Sequence, residues 1–324
     1  MIINWPLFLR EGAVPREIPF HLCTSDIHRE FVRLYFASPT ALRFFTLVAR
    51  CVCLCTRWVA ALLLPLSVRS EVLADIPFRY RDGLLWLKVE VAGKKELLNF
   101  LLDSGAGVNA IDLQTATNLR VQLGNRQTVQ GVNGQAFAYR VNDLQAVSGG
   151  VVLPKSVLAI DLRTISDCCH QHIDGILGVD FFRGRIVQID FHAGRVRLLK
   201  DCDVDLAHCE MLPIKMCNDA FCVPVRVAAN PAQWMRLDTG CDAALEWVVS
   251  ETAKRHVIGL SDVPILYIRT SAQLGKHCFN AVTAGIHTKR IFPGEAGLLG
   301  NALLSKFRLT IDEPRGRVIF EEAR

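Results

Sequence analysis

Two acidic residues stand out by what surrounds them. Asp103 and Asp238 each close an apolar run, and each is followed by a hydroxyl residue and a glycine. The stretches read NFLLDSGAG (99–107), with Ser104 and Gly105, and QWMRLDTGC (233–241), with Thr239 and Gly240. One such tripeptide is an ordinary strand-to-turn. Two in matching frames invite acid–base chemistry. Carboxyl groups held about 3 Å apart cannot both ionise comfortably, so they share a proton and split their apparent pKa values. Such a pair takes a proton from water and returns one to a carbonyl oxygen without a metal or a covalent intermediate. The split values belong to the pair, so neither Asp is singled out as acid or base.

The elements that must position this pair are read from an internal repeat, Leu84–Leu199 against Phe221–Phe320. Each copy opens on an alternating strand, LLWLKVEVAG or FCVPVRVAAN. Each reaches its Asp-hydroxyl-Gly, then two apolar residues closed by glycine: Ile176-Leu177-Gly178 and Leu298-Leu299-Gly300. Each ends on a strand pair, RIVQIDFHAGRVRLL (185–199) and FRLTIDEPRGRVIFE (307–321). Helical periodicity is brief, at Asp112–Leu119 and Leu245–Lys254. The expected fold is all-β, with two pseudo-twofold-related β-barrel lobes in one chain. The predicted boundaries are an N-terminal segment (1–74), a first lobe (75–200), a polar linker (201–210) and a second lobe (211–324).

Two Asp-Ser/Thr-Gly motifs, each with its apolar-apolar-Gly, resemble the aspartic peptidases over about residues 84–322. The 135 residues between the two Asp are short for the pepsins. They suit two fused retroviral-protease-like (retropepsin-like) lobes, as in secreted bacterial aspartyl proteases. The resemblance implies an acid-protease-like fold and an aspartic endopeptidase that hydrolyses peptide bonds, with Asp103 and Asp238 catalytic and no cofactor. It implies that Ser104 and Thr239 keep the carboxylates coplanar through their hydroxyls, and that Gly105 and Gly240 turn the backbone so its N–H groups reach them. Ile176, Leu177, Gly178, Leu298, Leu299 and Gly300 brace the loops. A flap over bound peptide is expected at Gly131, Val132, Asn133 and Gly134, with Ser271–Gly275 its weaker counterpart in the second lobe. The alternative is a peptide-binding module of the same fold with an impaired second half-site.

Three residues depart from the family pattern. Gly107 replaces a residue with a side chain, Cys241 replaces Ala or Ser, and Arg236 interrupts the apolar run before Asp238. Arg236 paired with Asp238 would lower that carboxyl's pKa and spoil proton sharing; a snorkelling side chain is the other reading. Cys168-Cys169-His170-Gln171-His172 gathers soft and imidazole groups, but no partner pattern accompanies it, so no metal is expected. Asp190 and Asp312 precede turns and are read as turn-stabilising, and Asp174 and Asp180 as structural or surface groups.

Composition bounds the rest. Of 324 residues 51% are hydrophobic and 21% charged, a globular balance. The net charge of +5 is small, and no basic run exceeds a pair, so nucleic acid is not an expected partner. From Phe44 to Val68 an apolar core with upstream arginines precedes Val72-Leu73-Ala74, the pattern of a secretory signal. An uncleaved membrane anchor and an amphipathic segment are the competing readings, and a later start near Val48 or Val52 is a further one. The expected setting is exported, periplasmic or extracellular, with a possible tether, a peptide or protein substrate and a two-lobed monomer. Twelve cysteines permit disulfides in such a setting, and buried thiols equally.

Overall fold

A computed structural model describes residues 70–131, 134–201, 209–249 and 266–322. The N-terminal segment before Ser70, with its signal-like stretch, lies outside the described residues. So do Val132, Asn133 and most of the linker. Among the described residues no helix is long and apolar enough to cross a membrane.

The first half is built from short strands joined by tight turns. β1 (Val72–Arg81) and β2 (Leu84–Val91) form a hairpin across Asp82-Gly83, both at positive φ. β2 alternates buried and exposed residues towards its end, the pattern of a strand with one dry face. β3 (Leu98–Leu102) lies antiparallel to β2 and runs directly into Asp103. After β4 (Ala110–Asp112) comes a helix at Leu113–Asn118, started by the Asp112 carboxylate accepting from Thr115 N. β5 (Arg126–Gly131) and β6 (Gly134–Val141) make a hairpin. β7 (Ala146–Ser148), β8 (Val151–Val152) and β9 (Val157–Ile160) follow. β10 (Gly175–Leu177) slots between β3 and β4, parallel to the first and antiparallel to the second. β11 (Ile186–Asp190) and β12 (Arg195–Leu199) close this half.

The second half repeats these pairings. β13 (Cys209–Pro213) opens it as a sheet-edge strand; β14 (Lys215–Cys217) and β15 (Ala220–Val227) form a hairpin. β16 (Gln233–Leu237) leads into Asp238 as β3 leads into Asp103. β17 (Leu245–Val248) pairs parallel with β19 (His277–His287) and antiparallel with β20 (Gly297–Leu299), as β4 does with β9 and β10. β18 (Leu266–Leu274) completes that sheet, and β21 (Phe307–Asp312) and β22 (Arg317–Glu322) end the described chain. The fold is all-β and acid-protease-like.

What binds the halves is a shared sheet, in the order β13-β22-β21-β11-β12-β1. Ile189 of one half faces Leu309 of the other across β11 and β21. Phe182 meets Phe221 edge-to-face at 6.0 Å, and one buried cluster runs through both halves. A fully buried Phe or Leu contributes about 1.5–3 kcal/mol, so this seam is strongly held.

Three local expectations are corrected. Leu245–Val248 is a strand and not the start of a helix, because its aromatic and β-branched residues fit the slot between β19 and β20. Cys209-Glu210, read as linker, already begins β13 and pairs with β22. Ser271–Gly275 is no flap counterpart. It ends β18 and pairs with β15 through Arg226–Gln273 and Val227–Ala272, as β7 pairs with β2. Its turn lies against β13, where Lys276 Nζ donates to Cys209 O.

Candidate active site

Asp103 and Asp238 follow β3 and β16, strands of two different sheets, and meet at the seam. Each loop is anchored identically: Asp103 N donates to Leu177 O and Asp238 N to Leu299 O, both at 2.9 Å. Both carboxyl groups are buried, 2% and 0% exposed, yet neither faces a counter-ion directly. Asp103 Oδ1 accepts from Gly105 N at 2.9 Å and Ala106 N at 3.0 Å; Asp238 Oδ1 accepts from Gly240 N at 2.9 Å. Each carboxyl group packs against the glycine of the opposite loop, Asp238 against Gly105 and Asp103 against Gly240. No donor among the described residues reaches the buried Asp238 Oδ2. Burial pushes both pKa values up. Asp103 is raised further by the charge of Asp238, whereas Arg236 opposes the rise at Asp238.

The hydroxyls act differently from the expectation. Ser104 Oγ donates to Leu237 O at 2.7 Å and accepts from Thr239 N at 3.1 Å. Thr239 Oγ1 donates to Leu102 O and accepts from Ser104 N, both at 2.9 Å. Neither hydroxyl touches a carboxylate. Each grips the backbone of the opposite half, and the carboxylates are oriented by backbone N–H groups alone. The glycine N–H groups do reach the carboxylates, as expected, but a sharp positive-φ turn is not what requires glycine. Neither Gly105 nor Gly240 is at positive φ. A Cβ on Gly105 would stand 2.4 Å from Asp238 Cγ, and one on Gly240 would stand 2.4 Å from Asp103 Cγ. Close approach of the opposite carboxyl excludes any side chain there.

Behind the loops, Ile176 and Leu177 pair with Leu101 and Leu102, and Leu298 and Leu299 with Arg236 and Leu237. Gly178 packs onto the carbonyls of Ala106 and Val108, and Gly300 onto those of Cys241 and Ala243, too closely for a Cβ. Gly131 and Gly134 face each other at the end of the β5–β6 hairpin, Gly134 at φ +131°. Val132 and Asn133, the residues expected at its tip, lie outside the described residues.

Arg236 is the largest fully buried side chain among the described residues, and it neither snorkels nor pairs with Asp238. Its Nε and Nη2 hold Glu295 at 2.8 and 2.5 Å, and the guanidinium stacks on Phe292 with 4.0 Å to the ring centroid. Nη1 donates to Gly105 O in the other half at 2.7 Å. Sequence reasoning missed Glu295 entirely; a lone Arg in an apolar strand was the available signal that a buried carboxylate must answer it. Asn218, also missed, donates to Glu295 Oε1 at 2.8 Å. The Gly107 departure has a steric reason: Asp219 from the β14–β15 turn occupies the space of a side chain, 2.9 Å from a Cβ placed there. Asp242, at the equivalent place in the second half, packs in turn against Gly83.

The remaining candidates are dispersed. Cys241 is a buried thiol whose pKa burial raises well above its ordinary value. Cys168, Cys169, Cys217, Cys222 and Cys278 form no disulfide. His172 turns to Thr115 and Asp174, and among the described residues no cluster of three His, Cys, Asp or Glu side chains could hold a metal ion. Asp174 accepts from Asn99 N and Thr115 Oγ1, and Asp180 from Asn109 N. Asp190 accepts from Ala193 N across its turn, but Asp312 is fully buried and takes Arg315 and Arg317. Asp312 thus stabilises its turn through charged side chains, where Asp190 also uses a backbone N–H group.

Residues 87–181 match the family model of the aspartyl proteases. The match runs from within β2 into the helix Val179–Phe182, and includes Asp103 and Ile176-Leu177-Gly178. Asp238 lies outside it. It supports a peptidase hydrolase of the aspartic class. No curated protein matches the chain.

Proposed function

We propose that the chain is an aspartic endopeptidase in which Asp103 and Asp238 share one proton and activate a water against a peptide carbonyl. The observation that carries this reading is the meeting of two buried carboxyl groups, one from each half, cradled by backbone N–H groups with raised pKa values. Burial favours the pair holding a proton, and proximity forbids a double negative charge. In the singly ionised pair, the ionised carboxyl takes the water's proton while the protonated one donates to the carbonyl oxygen. The resulting tetrahedral diol collapses as a proton passes to the leaving nitrogen, which restores the pair. Asp238 Oδ2, buried and without a donor among the described residues, keeps a hydrogen-bonding position free for the shared proton.

The role of the halves follows from the same geometry. Ser104 and Thr239 lock the loops to each other, so the carboxyl separation is set by the fold before substrate arrives. A peptide lying extended beneath the β5–β6 hairpin would complete the site as an added strand. One chain supplies both carboxyl groups, so a second copy is not required. The N-terminal segment would export or tether the enzyme.

The test uses the full chain, wild type and with Asp103→Asn or Asp238→Asn, incubated with a complex peptide mixture from pH 3 to 7. New termini are read by mass spectrometry. Cuts that vanish in both variants support the reading, and their flanking residues give the preference. A folded wild type that binds peptides but cuts none at any pH would move the assignment to a peptide-binding module.

A further inference from the structure

Arg236 breaks the equivalence of the two half-sites. Its counterpart two residues before Asp103 is Leu101, packed among Leu84, Trp86 and Ile176. Leucine has no donor to offer Gly240 O, so only one half reaches across with a charge. The contact is specific. Gly105 O belongs to the peptide group whose N–H, that of Ala106, donates to Asp103 Oδ1 at 3.0 Å. Arg236 Nη1 thus polarises a peptide that in turn holds the facing carboxyl, a two-bond chain in a dry setting where such chains reinforce each other. The same guanidinium stands two residues before Asp238 on β16, and its positive charge favours that carboxyl's ionised form. It acts on both members of the pair.

We infer that Arg236 is a positioning residue which, through Gly105 and its proximity to Asp238, stabilises the single negative charge of the carboxyl pair. This rests on the peptidase reading for its purpose but not for its test. The groups that bear on the charge are Asp103 from the facing loop, Arg236 on the same strand and Glu295 before β20. Cys241 and Asp242 lie beyond the pair on the second loop, and Cys241 stays a thiol. Glu295 neutralises much of the arginine's charge at long range and fixes its orientation through two hydrogen bonds. What remains is a short-range dipole with its positive end at the dyad. Phe292 and Asn218 keep that end aimed. The cost of burying the pair is tolerable because every arm of the guanidinium has a partner.

The test labels the aspartate side-chain carboxyl carbons with 13C in the full chain and follows their titration by NMR. Asp103→Asn and Asp238→Asn assign the signals of the pair. The paired substitution Arg236→Met with Glu295→Met removes both charges without leaving either alone, and Arg236→Gln with Glu295→Gln does so isosterically if the first pair fails to fold. In either folded variant the lower apparent pKa of the dyad should rise by about one unit, and the acid limb of kcat/KM with it. Arg236→Lys keeps the charge but cannot serve Glu295 twice and Gly105 together. It should leave the lower pKa near its wild-type value while kcat falls. An unmoved lower pKa in a folded neutral-pair variant overturns the inference. Were wild type to titrate in this way but cleave nothing, the peptidase reading would fail and the role of Arg236 would stand. Cleavage with an unmoved titration sinks the role of Arg236 alone.

Discussion

Replacing Thr239 by Val removes one oxygen and keeps the branched shape. That oxygen donates to Leu102 O and accepts from Ser104 N, each at 2.9 Å, at a fully buried position between the halves. Losing a hydrogen bond costs about 0.5–1.5 kcal/mol, and stranding a buried N–H costs roughly 1–3 kcal/mol. The variant should therefore be about 2–4 kcal/mol less stable. Ser104→Ala removes the mirror contacts to Leu237 O and Thr239 N and should cost a similar amount. Because the two hydroxyls serve one network, the double variant should lose less than the sum. Urea unfolding at pH 6 measures all three, with the slope required to stay constant so that midpoints compare stability alone. A Thr239→Val loss below about 0.5 kcal/mol, or losses that simply add, would refute the reasoning that these hydroxyls clamp the halves.

Two further predictions concern groups around the pair. Gly240→Ala places a Cβ 2.4 Å from Asp103 Cγ. It should abolish activity and lower Tm, whereas the same change at Gly93, with nothing within 4 Å, should act only through its positive φ and spare turnover. Asp242 is pushed up to about 6 by burial from its ordinary 3.8. The folded state then holds the proton more tightly than the unfolded chain. Asp242 favours folding below its unfolded pKa and loses that contribution as pH rises through about 6. Asp242→Asn should flatten the stability profile across that window, raising Tm at pH 7 relative to wild type more than at pH 4. Equal changes at both pH values would show that the carboxyl's protonation is not linked to folding.

Much of this was legible in order and spacing. The repeat located both strands that enter the Asp loops, both glycine-ended braces and both closing hairpins, because period-two patterning and glycine turns are local properties. The Leu245–Val248 strand was missed because its short apolar run also suits a helix, and its partner β19 is some forty residues away. The hydroxyls of Ser104 and Thr239 were assigned to the wrong acceptors for a related reason. Which oxygen they meet depends on the other half of the molecule, and a tripeptide cannot specify that. Arg236 announced itself as an anomaly, but Glu295, its answer, sits 59 residues on with nothing local to mark it. Gly107 stood out only as a departure from the family pattern, because the turn carrying Asp219, which fills its space, is remote in sequence.

The central claim is that two carboxyl groups from two halves of one chain act as a single unit. It is tested most directly by kcat/KM on one cleaved peptide for wild type, Asp103→Asn, Asp238→Asn and the double variant. The account predicts that either single change removes activity by at least about a thousandfold, and that the double is no worse than the singles, as for groups that work together. A single variant retaining a tenth of wild-type activity, or losses that multiply in the double, would contradict it.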